Sequence, residues 1–269
     1  MDLSFLEFYP IVFLTILARY TIIAGIFFLL YYVFFKEKWS FKKIQLSFPK
    51  LKDYQREVFY SLCTITIFSV IGLLVFKTPL TEHTQIYGSI ADYGWGYWFL
   101  SIVLMTFLHD TYFYWAHRMM HHKKLYRLFH LVHHKSTNPS PWASYAFHPL
   151  EGVVEASIIF LIVFLIPFHP TALLVFLVVT FAYNVYGHLG YEIYPKNFHK
   201  TRIGRWVNTS VHHNMHHKHF NANYGLYFLF WDRWMGTLHE QSDAVFEEVT
   251  ERSVRAVEYV EHVEKMNLH

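Results

Sequence analysis

A chain of 269 residues that is 54% hydrophobic, with 27 Phe and 20 Tyr, is too apolar for an ordinary soluble enzyme and long enough for one large domain or two small ones. Its formal charge of +3 is small and its Lys and Arg border the apolar stretches, which speaks against nucleic acid as a partner. The single cysteine, Cys63, excludes an internal disulfide framework and any thiolate-held zinc or iron–sulfur cluster, so a metal would have to be held by His.

Five apolar stretches follow one another, at 10–35, 58–76, 96–116, 152–168 and 171–187. Each is near the roughly 17–25 residues that cross a ~30 Å hydrocarbon layer. The first has neither a basic leader nor a small-residue cleavage site, so it reads as a retained span. Arg19 lies inside it, and either snorkels to an interface or faces other helices. The loop after it carries Lys36, Lys38, Lys42, Lys43, Lys50, Lys52 and Arg56, which the positive-inside rule places in the cytoplasm, with the N-terminus outside. The segment 77–93, with Glu82, Asp92 and one Lys, then suits the outer side. The third stretch returns to the cytoplasm. Pro167 and Pro170 split the last two into a hairpin that goes out and comes back.

Should the first stretch only dip into the bilayer, four true spans remain. The expected fold is therefore an all-α, multi-pass integral membrane protein with four to five apolar helical segments and a cytosolic helical cap. Residues 1–240 read as one membrane-embedded catalytic unit, and 241–269 as a polar, amphipathic tail with a solvated face or a docking strip.

Histidines cluster on the cytosolic side. His117 and His121 make HxxxH, His130, His133 and His134 make HxxHH, and His213, His216 and His217 repeat it. With 20 His in 269 residues, chance alone supplies HxxHH roughly 0.1 times. In a helix, positions three and four apart share a face, so each group aims its rings at one point, as a metal requires. No Gly or Pro falls within 97–138, which would allow one helix of ~63 Å. In a straight helix His117 and His130 would stand ~20 Å apart, too far to share ligation at ~2 Å. A break between His122 and Arg127 is therefore predicted. His188, at the mouth of the last span, is left open between metal ligand and helix-dipole partner. Asn208, Thr209 or Ser210 caps the next helix, in which His213 shares a face with His216 and His217 while His212 matches His216 only.

Eight or nine imidazoles exceed one tetrahedral zinc and suit two metals with open positions. Imidazole accepts Fe, Zn, Cu or Ni, so spacing does not name the metal. The absence of HExxH weakens a zinc hydrolase. Two irons at the membrane face, with zinc possible in an isolated sample, would instead bind O2 and attack a C–H bond of a lipid lying between the spans. Asp110, Glu151, Glu192 and Asp232 are candidates to orient the far nitrogens of ligand rings, or else simply pair with Arg118 or Arg233. His148, Asn184 and His212 complete the supporting candidates. A histidine-rich metal transporter or store is the alternative of another class, though its ligands should lie at mid-membrane.

HDTYFYWAHRMMH, HLVHH, SYAFHPLEG and VHHNMHHKHFNANYGLYFLFWDRWMGT, in that order over 109–237, resemble the signatures of the sterol desaturase and fatty acid hydroxylase family of membrane non-haem di-iron enzymes. SYAFHP and HHxxHH look closest to its sterol C5-desaturase branch. The resemblance implies ligation by His117, His121, His130, His133, His134, His213, His216 and His217, and adds His188. Some members carry a further His where this chain has Asn184. It also implies O2 as co-substrate and two electrons from a separate donor, a cytochrome b5-like protein, a ferredoxin or another reductase. In keeping, the chain shows no GxGxxG fingerprint and no haem-binding extension. The expected substrate is a sterol-like or fatty-acyl lipid, with an ether lipid or a carotenoid as the alternative.

Overall fold

The computed structural model describes the backbone of residues 4–267 and the side chains of residues 4–256. Every regular element among them is helical, joined by turns and three isolated bridges. α1 (Phe5–Phe28) starts at a capping box, in which Ser4 Oγ accepts from the Glu7 amide and Glu7 Oε2 accepts from the Ser4 amide, and runs on through a π turn at Leu29–Phe34. α2 (Leu51–Phe76) and α3 (Gly94–Met120) follow. α3 stops at Met120, and two single-turn helices, α4 (Tyr126–Phe129) and α5 (Leu131–His134), fold back beneath it. The predicted break is therefore present.

α6 (Pro149–Leu165) and α7 (Pro170–Gly187) are separated by the short connection 166–169 and both pack on α3, each opening on a proline whose missing N–H needs no partner at that position. α2 packs on α1 and α6, α3 packs on α6 and α7, and α1 closes against α7. Val75, Met105, Ile162 and Phe176 fill the core at one end of this bundle, and Tyr20, Ile65, Tyr145 and Phe181 fill it nearer the histidines. The outward faces leave Leu14, Ile22, Val70, Val103, Leu174 and Val179 exposed, an apolar belt that suits lipid and not water.

Three helices, Phe5–Phe34, Leu51–Phe76 and Pro170–Gly187, are long and apolar enough to cross a membrane. The other two expected segments differ for stated reasons. α6, with 17 residues, is about 26 Å long and short of the ~30 Å layer. α3 is long enough, but its last turns turn polar with His109, Asp110, His117 and Arg118. Arg19 does not snorkel: one Nη donates to Tyr145 Oη at 2.9 Å, and the guanidinium lies over the Phe181 ring.

On the cap side, α8 (Ser210–His219) is followed by α9 (Phe230–Trp234) and α10 (Ser242–Asn267). Over its described side chains α10 packs on α8. Phe246 and Val249 bury against Val211 and Met215 of α8, and Glu247 and Glu251 pair with Lys200 and Lys196.

A candidate two-centre metal site

α8 reads SVHHNMHHKH, a sequence with no apolar stripe, yet every residue from Ser210 to His217 is buried. A helix this polar can be buried only if its side chains are engaged one by one. Thr209 caps it, and its hydroxyl bonds His212 Nδ1 at 2.9 Å. The Ser210 amide donates to Tyr186 Oη, and Asn214 Oδ1 accepts from Gln45. His213, His216 and His217 are left to face the cage.

All nine predicted ligands gather, in two groups. His117, His121, His130, His134 and His216 form one, and His133, His188, His213 and His217 the other, with the ligand atoms of each within 4.8 Å of one another. The groups touch, since the His134 and His217 rings are 4.9 Å apart. The fold-back after α3 joins the first, bringing His117 Nε2 to 2.9 Å from His130 Nε2 and His121 Nε2 to 3.1 Å from His134 Nε2. HxxHH does not point at one spot after all. His130 and His134, and likewise His216, go to one group, while His133, His213 and His217 go to the other, so each motif straddles the pair.

Far-side contacts fix the rings. His117 Nδ1 donates to the Tyr224 carbonyl at 2.9 Å, His216 Nδ1 to the Ala222 carbonyl at 2.7 Å, and His188 Nδ1 to the Asn184 carbonyl at 2.8 Å. His130 Nδ1 lies 2.6 Å from Glu151 Oε1. A neutral ring that donates through Nδ1 presents Nε2 as a bare lone pair.

That arrangement tests whether a metal fits. His188 Nε2, bare by its bond to Asn184, is 3.2 Å from His133 Nε2, 3.0 Å from His213 Nε2 and 3.2 Å from His217 Nε2, and the last two are 3.2 Å apart. One lone pair cannot accept from three donors, and those donors would crowd each other. A cation among the four nitrogens satisfies them all: bonds of ~2.1 Å put neighbouring ligand atoms about 3.0 Å apart in octahedral and about 3.4 Å apart in tetrahedral coordination. Burial first, and then the neighbouring rings, push His133, His134, His213 and His217 well below the ordinary imidazole value of 6.5. They stay neutral, the form that binds metal.

The supporting candidates divide. Glu151 touches a ring. Asn184 does so through its main-chain carbonyl, while its side chain donates to the Ser144 carbonyl. Asp232 touches none, but accepts from the Tyr224 and Gly225 amides and so fixes the carbonyl that takes His117. Asp110 accepts from the Tyr227 amide at 2.8 Å, and Glu192 from the Val211 amide at the start of α8. Neither bonds a ring of the cage: Asp110 holds the Tyr227 amide through one oxygen, and Glu192 takes the Val211 and Tyr194 amides and the Tyr186 hydroxyl. No ion pair of these carboxylates with Arg118 or Arg233 forms among the described residues. His148 lies outside the cage, accepting from the Leu150 amide at the start of α6, and His212 turns away as part of the α8 cap.

Sequence reasoning missed the Tyr224 and Ala222 carbonyls, since a main-chain acceptor leaves no trace in residue type. It also missed Glu57, whose two oxygens accept from Ser136 and Ser140 and pin the loop after His134. An acidic residue at the edge of an apolar stretch was the available signal.

An apolar cavity of about 330 Å³ runs inside the bundle between α1, α2, α6 and α7. It reaches Phe113, Phe147 and Asn184, and the first two lie against the His117 and His133 rings.

Helical bundle, lipid-facing belt and paired imidazole groups define a membrane-type protein with a histidine-caged two-centre site. The fatty acid hydroxylase family model matches residues 102–237, and the chain belongs to that family. It is 31% identical over 183 residues to a Delta(7)-sterol 5(6)-desaturase of Gibberella zeae, covering 68% of this chain and 55% of the relative. It is 31% identical over 189 residues to lathosterol oxidase of Rattus norvegicus, covering 70% and 62%, and 30% identical over 245 residues to a Delta(7)-sterol 5(6)-desaturase of Schizosaccharomyces pombe, covering 90% and 77%. The chain thus spans about 55% to 62% of the length of the first two relatives. No solved structure matches it.

Proposed function

We propose that the chain is a multi-pass membrane oxidoreductase that uses O2 and two irons to desaturate or hydroxylate a C–H bond of a membrane lipid, sterol-like or fatty-acyl. The observation that carries it is the meeting of two groups of buried, neutral imidazoles at the end of an apolar cavity. The five rings of the first group would hold one iron and the four of the second the other. When bound, the pair supplies the redox chemistry that activates O2.

The chain's own part is to fix the rings through Tyr224, Ala222, Asn184 and Glu151, to keep water from the cavity with Phe113 and Phe147, and to align the lipid along α1, α6 and α7. The relatives' names, sterol desaturase and lathosterol oxidase, support a sterol-like substrate. The basic loop between α1 and α2 supports a cytoplasmic position for the site, and the three helices long and apolar enough to cross support a multi-pass arrangement. Electrons come from a separate donor. A transporter is not favoured, because its ligands would line a path across the membrane, whereas these are clustered at one end of the bundle.

The test is elemental analysis and O2 uptake on the purified protein in lipid nanodiscs, loaded anaerobically with iron and supplied with a reductant. About two irons per chain and lipid-dependent O2 uptake are expected. An iron-loaded sample that consumes no O2 with sterol, ceramide or fatty-acyl lipid overturns the assignment.

A further inference from the structure

One group of imidazoles has readily oxidised neighbours and the other has none. Among the described ring contacts, the one side chain other than His against the four-ring group is Phe147, on His133. Against the five-ring group stands Tyr224, its ring centre 5.7 Å from that of His117, 5.1 Å from His121 and 5.7 Å from His216. The rings continue outward from it, to Tyr114 at 6.2 Å, then Trp231 at 5.9 Å, then Trp234 at 5.5 Å. Trp115 touches both Tyr114 and Trp231, at 5.3 Å and 5.7 Å. Trp234 is 61% exposed and Trp115 45%, so the series runs from buried ligands to the protein surface. Tyr126 also touches His121, but the ring next to it is Phe220. Phenol and indole surrender an electron far more readily than a phenyl ring does.

A phenol that loses an electron must also shed its proton, and Tyr114 has a place to send it. Arg118 Nη1 donates to Tyr114 Oη at 3.1 Å, and Thr237 Oγ1 donates its one proton to Asp232 Oδ1 at 2.8 Å. The 2.9 Å contact between Tyr114 Oη and Thr237 Oγ1 is therefore made by the phenol's own proton, pointing at Thr237. Behind Thr237 stands the buried carboxyl of Asp232, which burial pushes up to about 6, so that it is ionised at neutral pH and takes a proton readily. Packing alone would be served by Phe at position 114, which would have no use for this relay.

Resting on the O2-using assignment above, we propose that Tyr224, Tyr114, Trp231 and Trp234 form an exit for oxidising equivalents, which protects the five-ring group when O2 is reduced with no lipid in the cavity. Reducing O2 to two waters takes four electrons and four protons. With a lipid in place, two of the electrons come from its C–H bonds and two from the donor. With none, the missing pair passes inward along the rings one electron at a time, and a thiol-class reductant refills the exposed indoles. Two thiols become one disulfide and release two protons, while solvent supplies the other two. At Tyr114 each departing electron sends the phenolic proton through Thr237 to Asp232, and the proton returns when Trp231 or Trp115 refills the ring.

The zinc-loaded full chain in lipid-free detergent tests the path with a metal that has no redox chemistry. Flash oxidation by a water-soluble ruthenium complex should leave a phenoxyl radical on Tyr114, read by electron paramagnetic resonance as the difference between the protein and Tyr114→Phe. The double variant Trp115→Phe/Trp231→Phe cuts both indoles off Tyr114 but leaves its hydrogen bonds, and should abolish that signal, while Thr237→Val should shorten its lifetime several-fold. Unchanged zinc content shows that the variants fold. No phenoxyl difference, or a signal that survives the double variant, overturns the path. The iron-loaded chain, given O2 and electrons but neither lipid nor thiol, tests its use by peptide mass spectrometry. Oxygen should be added at Trp234 and Trp115 in the protein itself, and at Tyr224 and the ligand histidines in the double variant, with several-fold faster loss of iron. Marks on Tyr126 instead, or equal marks and iron loss in the two proteins, overturn the protective role while O2 uptake leaves the oxidase standing. No O2 uptake overturns the oxidase and the protective role with it, even where the zinc-loaded chain conducts.

Discussion

The five-ring and four-ring groups use the same side chain but are braced differently. In the five-ring group, His117, His130 and His216 are each braced through Nδ1, one of them by the carboxylate of Glu151. His121 is its one half-buried member. In the four-ring group all rings are buried and His188 alone has a braced Nδ1 among the described contacts, while His133 and His217 have none. The first is thus over-supplied with ligands and has a carboxyl group at its back. The second is minimal and depends on packing, with His213 lying against Gly187. Ligand number and outer support, more than ring identity, should set how each group responds to damage.

The largest effect expected from that contrast is on metal content. His213→Ala takes a four-ring group to three, and should lower bound metal from about two to about one per chain and abolish O2 uptake. His121→Ala leaves four ligands and should retain most of the metal. Elemental analysis of both variants decides the matter, and equal losses would erase the distinction between the groups.

A smaller change comes from the outer support. Glu151→Gln keeps the shape but replaces the carboxyl that meets His130 Nδ1 with an amide, and should weaken the five-ring site by about 10- to 100-fold in a chelator competition, leaving the four-ring site as it was. Uniform weakening of both ions would instead mean that Glu151 acts through global stability.

Next in size is Gly225→Ala. A Cβ there would collide with the Phe228 carbonyl and stand 3.0 Å from Asp232 Oδ2, displacing the turn whose Tyr224 carbonyl takes His117. A loss of about 1–3 kcal/mol is expected, read as a lowered thermal midpoint. An unshifted midpoint would show that the turn adapts at little cost.

The most gradual effect is with pH. In the metal-free fold, the buried rings of both groups titrate well below 6.5, the value the unfolded chain approaches. Above about pH 6.5 neither state is protonated at these positions and nothing is lost. Below it the unfolded chain takes up protons that the cluster refuses, so stability falls as pH drops. Thermal melts of the metal-free protein from pH 8 to 5 should show a plateau and then a decline, and bound metal should move the decline to lower pH. A midpoint that rises on acidification contradicts the neutral assignment.

Much of this was legible in the chain. Apolar runs marked α1, α2 and α7, Pro167 and Pro170 marked the division between α6 and α7, and the reach of a straight helix demanded the break that the turn after Met120 provides. Eight of the histidines were legible because imidazole at i, i+3 and i+4 is rare by chance and means something on a helix, and His188, alone in its stretch, was added only by the resemblance. Their partition was not. Neighbours such as His133 and His134, or His216 and His217, point to different groups. A one-residue step turns a side chain about 100° around the axis, and which metal it meets depends on where the other helices lie. Of the carboxylates, Glu151 does meet a ring whereas Asp110 and Glu192 do not, for a related reason. Asp110 and Glu192 sit near the motifs in sequence, but in space the nearest unsatisfied groups are the amides of Tyr227 and Val211.

What the sequence alone determined is local and periodic: the apolar lengths, the helix stops and the ligand spacing, all set by rise per residue and side-chain period. What only the tertiary structure decided is convergence: the division of nine rings into five and four, and the main-chain carbonyls that brace them. These join residues up to 107 positions apart, between His117 and Tyr224. No local rule relates such distant positions; buried polar groups find their partners only once the helices have packed.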